Sequence, residues 1–163
     1  MFRDMSAKLR NRALDLKIPP GVLVLIIALL MWLVSAFVPT FDVQIPFQPK
    51  IAWLFVLFGL VIVGLGVVEF RRAKTTVNPL KPGSSSALVT RGVYQRTRNP
   101  MYLGFLLLLV GVAIATANLL AFLFLPVFVL YMNEFQIKPE ERALAANFRD
   151  EFEKYSYRVR RWT

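Results

Sequence analysis

Four stretches of the chain are almost purely apolar, and polar or turn-forming residues separate them. The first runs from Pro20 to Val38 without a charge, the second from about Ile51 to Val68, the third from Met101 to Ala117 and the fourth from Leu119 to Met132. A buried strand needs only about four to eight apolar residues, so these runs predict helices. At ~1.5 Å of rise per residue the first two reach roughly 28 Å, close to the hydrocarbon thickness of a bilayer. Only Thr116, Ala117 and Asn118 join the third and fourth runs. As one helix they would be too long for a single crossing. As two they make a tight helical hairpin with Asn118 at its turn. The fourth run is short, but its apolar pattern continues through Phe135 and Ile137, so the helix is expected to leave the membrane and carry on. The first run exceeds the apolar core of a signal peptide, and Ser35-Ala36-Phe37 is a poor cleavage site, so an uncleaved span is expected.

The segments between the runs have their own patterns. Met1–Lys17 sets Leu9, Ala13, Leu14 and Leu16 among basic residues and predicts a short helix on the membrane surface. Pro39, Pro46 and Pro49 make the first connection irregular. In Thr75–Arg91, Pro79, Pro82, Gly83 and three serines forbid a long helix. Beyond the fourth run, Pro139 suits a first helical turn, and Glu140 and Glu141 would sit at the positive end of the new helix dipole. Leu144, Phe148, Phe152 and Tyr155 then form one apolar stripe. The fold class expected is all-α: an integral membrane bundle of about four transmembrane helices (20–38, 51–68, 101–117 and 119–135). A cytoplasmic loop spans 70–100, and a cytoplasmic C-terminal helix and tail span 139–163. Residues 1–19 form an amphipathic N-terminal segment, and the whole is one domain.

Charge orients this bundle. Of the twenty Lys and Arg residues, all but Lys50 fall in the N-terminal segment, the connection after the second run or the tail. By the positive-inside rule these segments and both termini are cytoplasmic. The net charge of +10 thus needs no nucleic-acid partner, because the cations flank apolar spans and face anionic lipid. Composition agrees: 56% hydrophobic, 18% charged and a mean hydropathy of +0.53 exclude a soluble globular enzyme. Cysteine and histidine are both absent, which removes disulfides, thiolate nucleophiles, Ser-His-Asp triads and the usual zinc ligands. No metal site is expected, and chemistry must come from carboxylates, Arg, Lys, Tyr, Asn, backbone groups or a cofactor.

Two polar clusters lie on the basic side, Gly92–Gly104 (GVYQRTRNPMYLG) and Asn133–Leu144 (NEFQIKPEERAL). A hairpin of the last two spans brings its two ends together, so the clusters must meet at one membrane face. That would set Tyr94, Arg98, Asn99 and Tyr102 beside Glu134, Gln136, Glu140 and Glu141. Taken singly, each residue has a plainer role. Arg98 alone is a phosphate or snorkelling anchor, Tyr94 and Tyr102 alone are interfacial belt residues, and Glu140 and Glu141 alone are solvated helix-start charges. Glu69 beside Arg71 and Arg72 reads as an interfacial ion pair. Trp162 with Arg158, Arg160 and Arg161 reads as a membrane-surface anchor. As solvated positions, Arg98 and Glu141 are expected to tolerate Ala within ~1 kcal/mol of stability.

RNPMYLG after a GVY turn, then PEE and a tail ending YRVRRW, resembles the isoprenylcysteine carboxyl methyltransferases and the related phospholipid methyltransferases. The resemblance covers roughly Thr75 to Trp162. It implies an integral membrane enzyme that uses S-adenosyl-L-methionine, with Arg98 and Glu141 catalytic. It also implies a cofactor site built from Tyr94, Arg98, Asn99, Pro100, Tyr102, Leu103, Gly104, Gln136, Glu140 and Glu141. Gly64-Leu65-Gly66 resembles a glycine motif that the phospholipid enzymes place near the cofactor. The carboxyl methyltransferases usually carry His where this chain has Asn99, which hydrogen-bonds like a neutral imidazole but takes up no proton near neutrality. Chemistry and resemblance agree: carboxylates suit ribose hydroxyls or the donor ammonium, Arg98 suits its carboxylate, and tyrosines suit adenine or sulfonium. The loop Thr75–Arg91 and the C-terminal helix would form a lid. The partners implied are the bilayer and a lipophilic acceptor: a prenylcysteine-type carboxylate, a phospholipid amine, or a small hydrophobic thiol or acid. The alternative is a non-catalytic membrane scaffold or transporter subunit. The first and third spans and the run Leu119–Met132 carry no charged residue, which argues against ion transport.

Overall fold

A computed structural model describes residues 15–75 and 85–163. Residues 1–14 of the expected surface helix at Met1–Lys17 and the centre of the expected lid lie outside the described residues, and Asp15 and Leu16 form a turn. The rest is an all-helical bundle. Helix α1 spans Pro20–Phe37, α2 Gln48–Arg72, α3 Pro100–Thr116, α4 Leu119–Phe122 and α5 Phe124–Tyr131. A π-helical stretch, Met132–Ile137, leads without a break into α6, Lys138–Arg158. Three helical stretches, Pro20–Phe37, Gln48–Arg72 and the continuous Leu119–Arg158, are long and apolar enough to cross a membrane, and α3 is a shorter apolar helix.

Two expected boundaries change. Helix α2 outlasts its apolar run at both ends, because Gln48 starts it and Arg71 and Arg72 complement the negative end of its dipole. Pro139 does not begin a helix. The chain is already helical before it, so Glu140 and Glu141 do not sit at a free helix N-terminus. Helix α6 is instead kinked farther on, at Arg149 (φ 18°, ψ −98°).

Packing follows the sizes of the side chains. One face of α1 (Leu23, Ile27, Met31) meets Tyr102, Leu109 and Ala113 of α3 and Ala121, Phe128, Met132 and Ile137 of the last helices, and these residues form the main core. The most extensive helix contact joins α2 to α3. It is built from small residues at seven-residue spacing: Ala52, Gly59 and Gly66 on α2 are buried, as are Gly104 and Gly111 on α3. A Cβ added at Gly59 would stand 2.7 Å from the Gly104 carbonyl oxygen, and one at Gly104 would stand 2.7 Å from that of Gly59. Such close backbone approach is how helices associate where lipid removes the hydrophobic drive. Around these contacts Leu25, Leu29, Trp32, Trp53, Leu54, Leu57, Phe58 and Leu130 point outward, the surface of a protein solvated by hydrocarbon.

At one end of the bundle the expected hairpin is present. Ala117 adopts a left-handed conformation (φ 48°) and ends α3, and Asn118 caps α4 by accepting the Leu120 N–H. The last carbonyls of a helix lack intrahelical donors. Here Ile114 accepts from Ala117 N–H, Ala115 from Gln48 Nε2, Thr116 from Ser35 Oγ and Ala117 from Val43 N–H. The fully buried Asn118 also donates through Nδ2 to the Val38 carbonyl and to Asp42 Oδ1, at 2.9 and 2.8 Å. Every segment at this end is thereby tied to the hairpin turn, which fixes how α3 and the following helix emerge at the opposite, basic end.

Candidate functional site at the basic end of the bundle

The start of α3 and the π-helical stretch with α6 stand side by side, and the two polar clusters meet there. Tyr102, on the first turn of α3, donates to Glu140 Oε1 at 2.5 Å, and Gln136 Nε2 donates to the same oxygen at 2.7 Å. Arg98 Nη2 lies 3.1 Å from Glu141 Oε1, with both side chains mostly buried. Adjacent glutamates on one helix therefore serve different neighbours: Glu140 a phenol and an amide, Glu141 a guanidinium. Burial pushes the Glu140 carboxyl up to about 7. The hydrogen bonds from Tyr102 and Gln136 oppose that shift, and the neighbouring Glu141 adds to it.

The tail completes the cluster, against the expectation that it anchors in the membrane surface. Glu141 is gripped by Arg161, whose Nη2 lies 2.6 Å from Oε2 and whose Nε lies 3.0 Å from Oε1. This fork pairing raises the Arg161 pKa, first through the hydrogen bond to Glu141. The Arg161 carbonyl accepts from Thr97 Oγ1 and Asn99 Nδ2, both at 3.0 Å, and the Arg160 carbonyl accepts from Arg98 N–H at 2.9 Å. Trp162 donates its indole N–H to Asn133 Oδ1 at 3.1 Å. The tail thus stitches the start of α3 to the π-helical stretch. Asn99, at the position of the family His, is bound to backbone here and makes a purely hydrogen-bonding contact.

The apolar stripe of α6 explains why the tail reaches this place. Phe152 and Tyr155 form a second core with Val89, Tyr94 and Val159, flanked by Leu144 and Phe148. Tyr155 donates to the Tyr94 carbonyl at 2.7 Å, and burial raises the phenol pKa of both Tyr94 and Tyr155. Phe152 also supports Arg98, whose guanidinium carbon lies 6.0 Å from the ring centroid. Arg98 Nε is buried with no hydrogen-bond partner among the described residues.

Other candidates take other places. Gly104 faces α2, with Val63 and Gly59 against it, and serves helix packing. Leu103 is half-buried and donates its N–H to the Asn99 carbonyl. Pro100 is fully buried at the start of α3. Tyr94 packs edge-on against Phe70, with ring centroids 5.5 Å apart, and belongs to the second core. Of the glycine pair, Gly66 packs against Met101 and Gly64 has open space beside it. Glu69 pairs with Arg72 at 3.0 Å as expected, and also lies against Gly92 in its left-handed turn (φ 58°), where a Cβ would meet the carboxylate at 2.6 Å. Sequence reasoning missed Thr97, Asn133, Arg161 and Trp162. Their signal was position: two lie inside the polar clusters and two inside the YRVRRW ending.

Comparison with known proteins bears on this arrangement. Residues 47–151 match the phospholipid methyltransferase family. An uncharacterized protein of Haemophilus influenzae is 44% identical over 62 residues, 38% of this chain and 98% of that protein. A probable protein-S-isoprenylcysteine O-methyltransferase of Oryza sativa subsp. indica is 31% identical over 113 residues, 69% of this chain. A protein of the same name in subsp. japonica matches equally. The chain spans 59% of the length of these rice relatives. No solved structure matches. From the four-helix apolar bundle and the match that runs from the start of α2 well into α6, this chain belongs to the phospholipid methyltransferase family and is a membrane protein.

Proposed function

We propose that the basic end of the bundle binds S-adenosyl-L-methionine from the cytoplasm, and that a lipophilic acceptor reaches it sideways from the bilayer. The observation that carries this reading is the convergence of Arg98, Tyr102, Gln136, Glu140 and Glu141 from two helices at one face. The donor set suits the molecule. The orphaned Arg98 Nε is a buried donor that a carboxylate would satisfy. Both described hydrogen bonds to Glu140 land on Oε1, which leaves its second oxygen for a ribose hydroxyl or an ammonium. When bound, the cofactor supplies a methyl group on a sulfonium, an electrophile that needs little acid or base assistance. The chain's part is to hold and orient: Arg161 and Arg98 fix Glu141 from two sides, and Tyr102 and Gln136 fix Glu140. The apolar flank of Met101, Leu106 and Met132 keeps water from the reacting groups and suits a hydrocarbon-bearing acceptor. That acceptor is a prenylcysteine-type carboxylate, a phospholipid amine, or a small hydrophobic thiol or acid.

The scaffold reading has one observation on its side: the charged groups of the cluster largely pair with each other. Two measurements decide between them. Titration calorimetry in detergent should show a single S-adenosylmethionine site on the folded protein. Membranes given a labelled methyl donor should yield a labelled lipid or lipophilic thiol by mass spectrometry only when the protein is present. Folded protein that binds no donor supports the scaffold.

A further inference from the structure

Pro139 lies inside a continuous helix, and its ring occupies the place of the N–H that would bond the Phe135 carbonyl. Just before it the helix widens: Lys138 N–H reaches back to the Asn133 carbonyl, a π-type bond that accommodates one extra residue. The carbonyl that proline leaves without its helical donor accepts from elsewhere, from Leu16 N–H at 2.9 Å. Beside that bond the Asp15 carboxylate pairs with Arg142 Nη2 at 2.6 Å, one turn after Pro139. Asp15 is mostly buried, Leu16 is left-handed (φ 56°), and Ile18 packs on the main core. The chain leading into α1 is therefore fastened to the long helix on both sides of its proline.

The fastened stretch and the turn before it bear the residues with which this helix binds Tyr102, Arg98 and the tail. Asn133 and Gln136 precede Pro139, and Glu140 and Glu141 follow it. An α-helix advances ~100° per residue, so adding or removing the extra residue turns the first pair relative to the second by about that angle. We propose that Asp15 and Leu16 form a clip that holds the π-helical widening and so sets the mutual aim of Gln136 with Glu140, and of Asn133 with the tail that carries Arg161. Asp15, Leu16 and Arg142 are then positioning residues for the donor pocket, an assignment that rests on the donor-binding reading above.

Three variants of the full chain test this by donor affinity, thermal midpoint and amide exchange over residues 132–138. Pro139→Ala restores an N–H that competes for the Phe135 carbonyl and favours a regular helix. It should leave the thermal midpoint equal or higher, yet weaken donor binding by roughly three- to thirtyfold. A purely structural proline would not separate those two readouts. Asp15→Ala should speed exchange over 132–138 and weaken donor binding, and Asp15→Arg combined with Arg142→Asp should recover both. Unchanged donor affinity in folded Pro139→Ala, or unchanged exchange in Asp15→Ala, overturns the clip. If the wild type binds no donor, the functional reading falls, and the exchange data still decide whether the clip holds the widening.

Discussion

At the scale of single residues, Glu140 and Glu141 are neighbours on one helix whose surroundings pull them apart. Glu140, raised to about 7 from an ordinary value of 4.5, binds a proton in the folded state that the unfolded chain has released. Its contribution is complete below pH ~4.5 and is lost as pH rises through 7, so this term lowers stability between those values. The unfolding free energy of the wild type in detergent, followed by its thermal midpoint, should fall from pH 5 to pH 8 relative to Glu140→Gln, by roughly 2–3 kcal/mol. Parallel curves for the two proteins would mean that the carboxyl is ionised throughout. Glu141 has different partners, because two arginines pair with it. Removing it leaves the mostly buried Arg98 without its carboxylate and facing Arg161, which is more than a third exposed. Glu141→Ala should cost about 2–4 kcal/mol in unfolding free energy, which corrects the expectation of ~1 kcal/mol for solvated positions. The two glutamates were legible in the sequence as a pair; their exposure was not. Arg161 shows the limit most plainly, since a basic residue beside a tryptophan at a chain end has the same pattern whether it meets lipid or a carboxylate.

At the scale of elements, long uninterrupted apolar runs announced the helices, and the short polar join announced the hairpin. The partners of each helix were less visible, because α2 is apolar all round and its buried face is marked by small residues instead of large ones. The structure makes this face testable. Gly59→Ala would drive a methyl group to 2.7 Å from the Gly104 carbonyl and 3.0 Å from Leu108 N, atoms of a backbone that cannot turn aside. It should destabilise by about 1–3 kcal/mol in thermal or denaturant unfolding. Gly64→Ala, with nothing within 4 Å, should be neutral or slightly stabilising. Equal effects at the two glycines would contradict the α2–α3 contact. The π-helical stretch escaped the sequence reading for a related reason. Proline after an apolar run resembles a helix start, and only a carbonyl partner supplied from more than a hundred residues upstream lets the helix run through it.

At the scale of the whole molecule, the two ends are chemically unlike. The hairpin end is closed by amide, hydroxyl and backbone hydrogen bonds among Asn118, Asp42, Ser35 and Gln48 and, among the described residues, carries a single cation, Lys50. The other end carries the remaining lysines and arginines of the described residues together with the methyl-transfer residues proposed above. A cytoplasmic donor can be used only if that second end faces the cytoplasm, so orientation and function stand or fall together. The absence of cysteine permits a direct measurement, since any thiol introduced is unique. Thr40→Cys probes the exposed turn after α1, and Tyr157→Cys, at a side chain 94% exposed, probes the end of α6. A membrane-impermeant maleimide applied to intact cells should label Thr40→Cys directly and Tyr157→Cys only after permeabilisation, as the charge asymmetry requires. The reverse pattern would turn Arg98, Glu140 and Glu141 away from the donor pool and defeat the proposed function, whatever the purified protein binds.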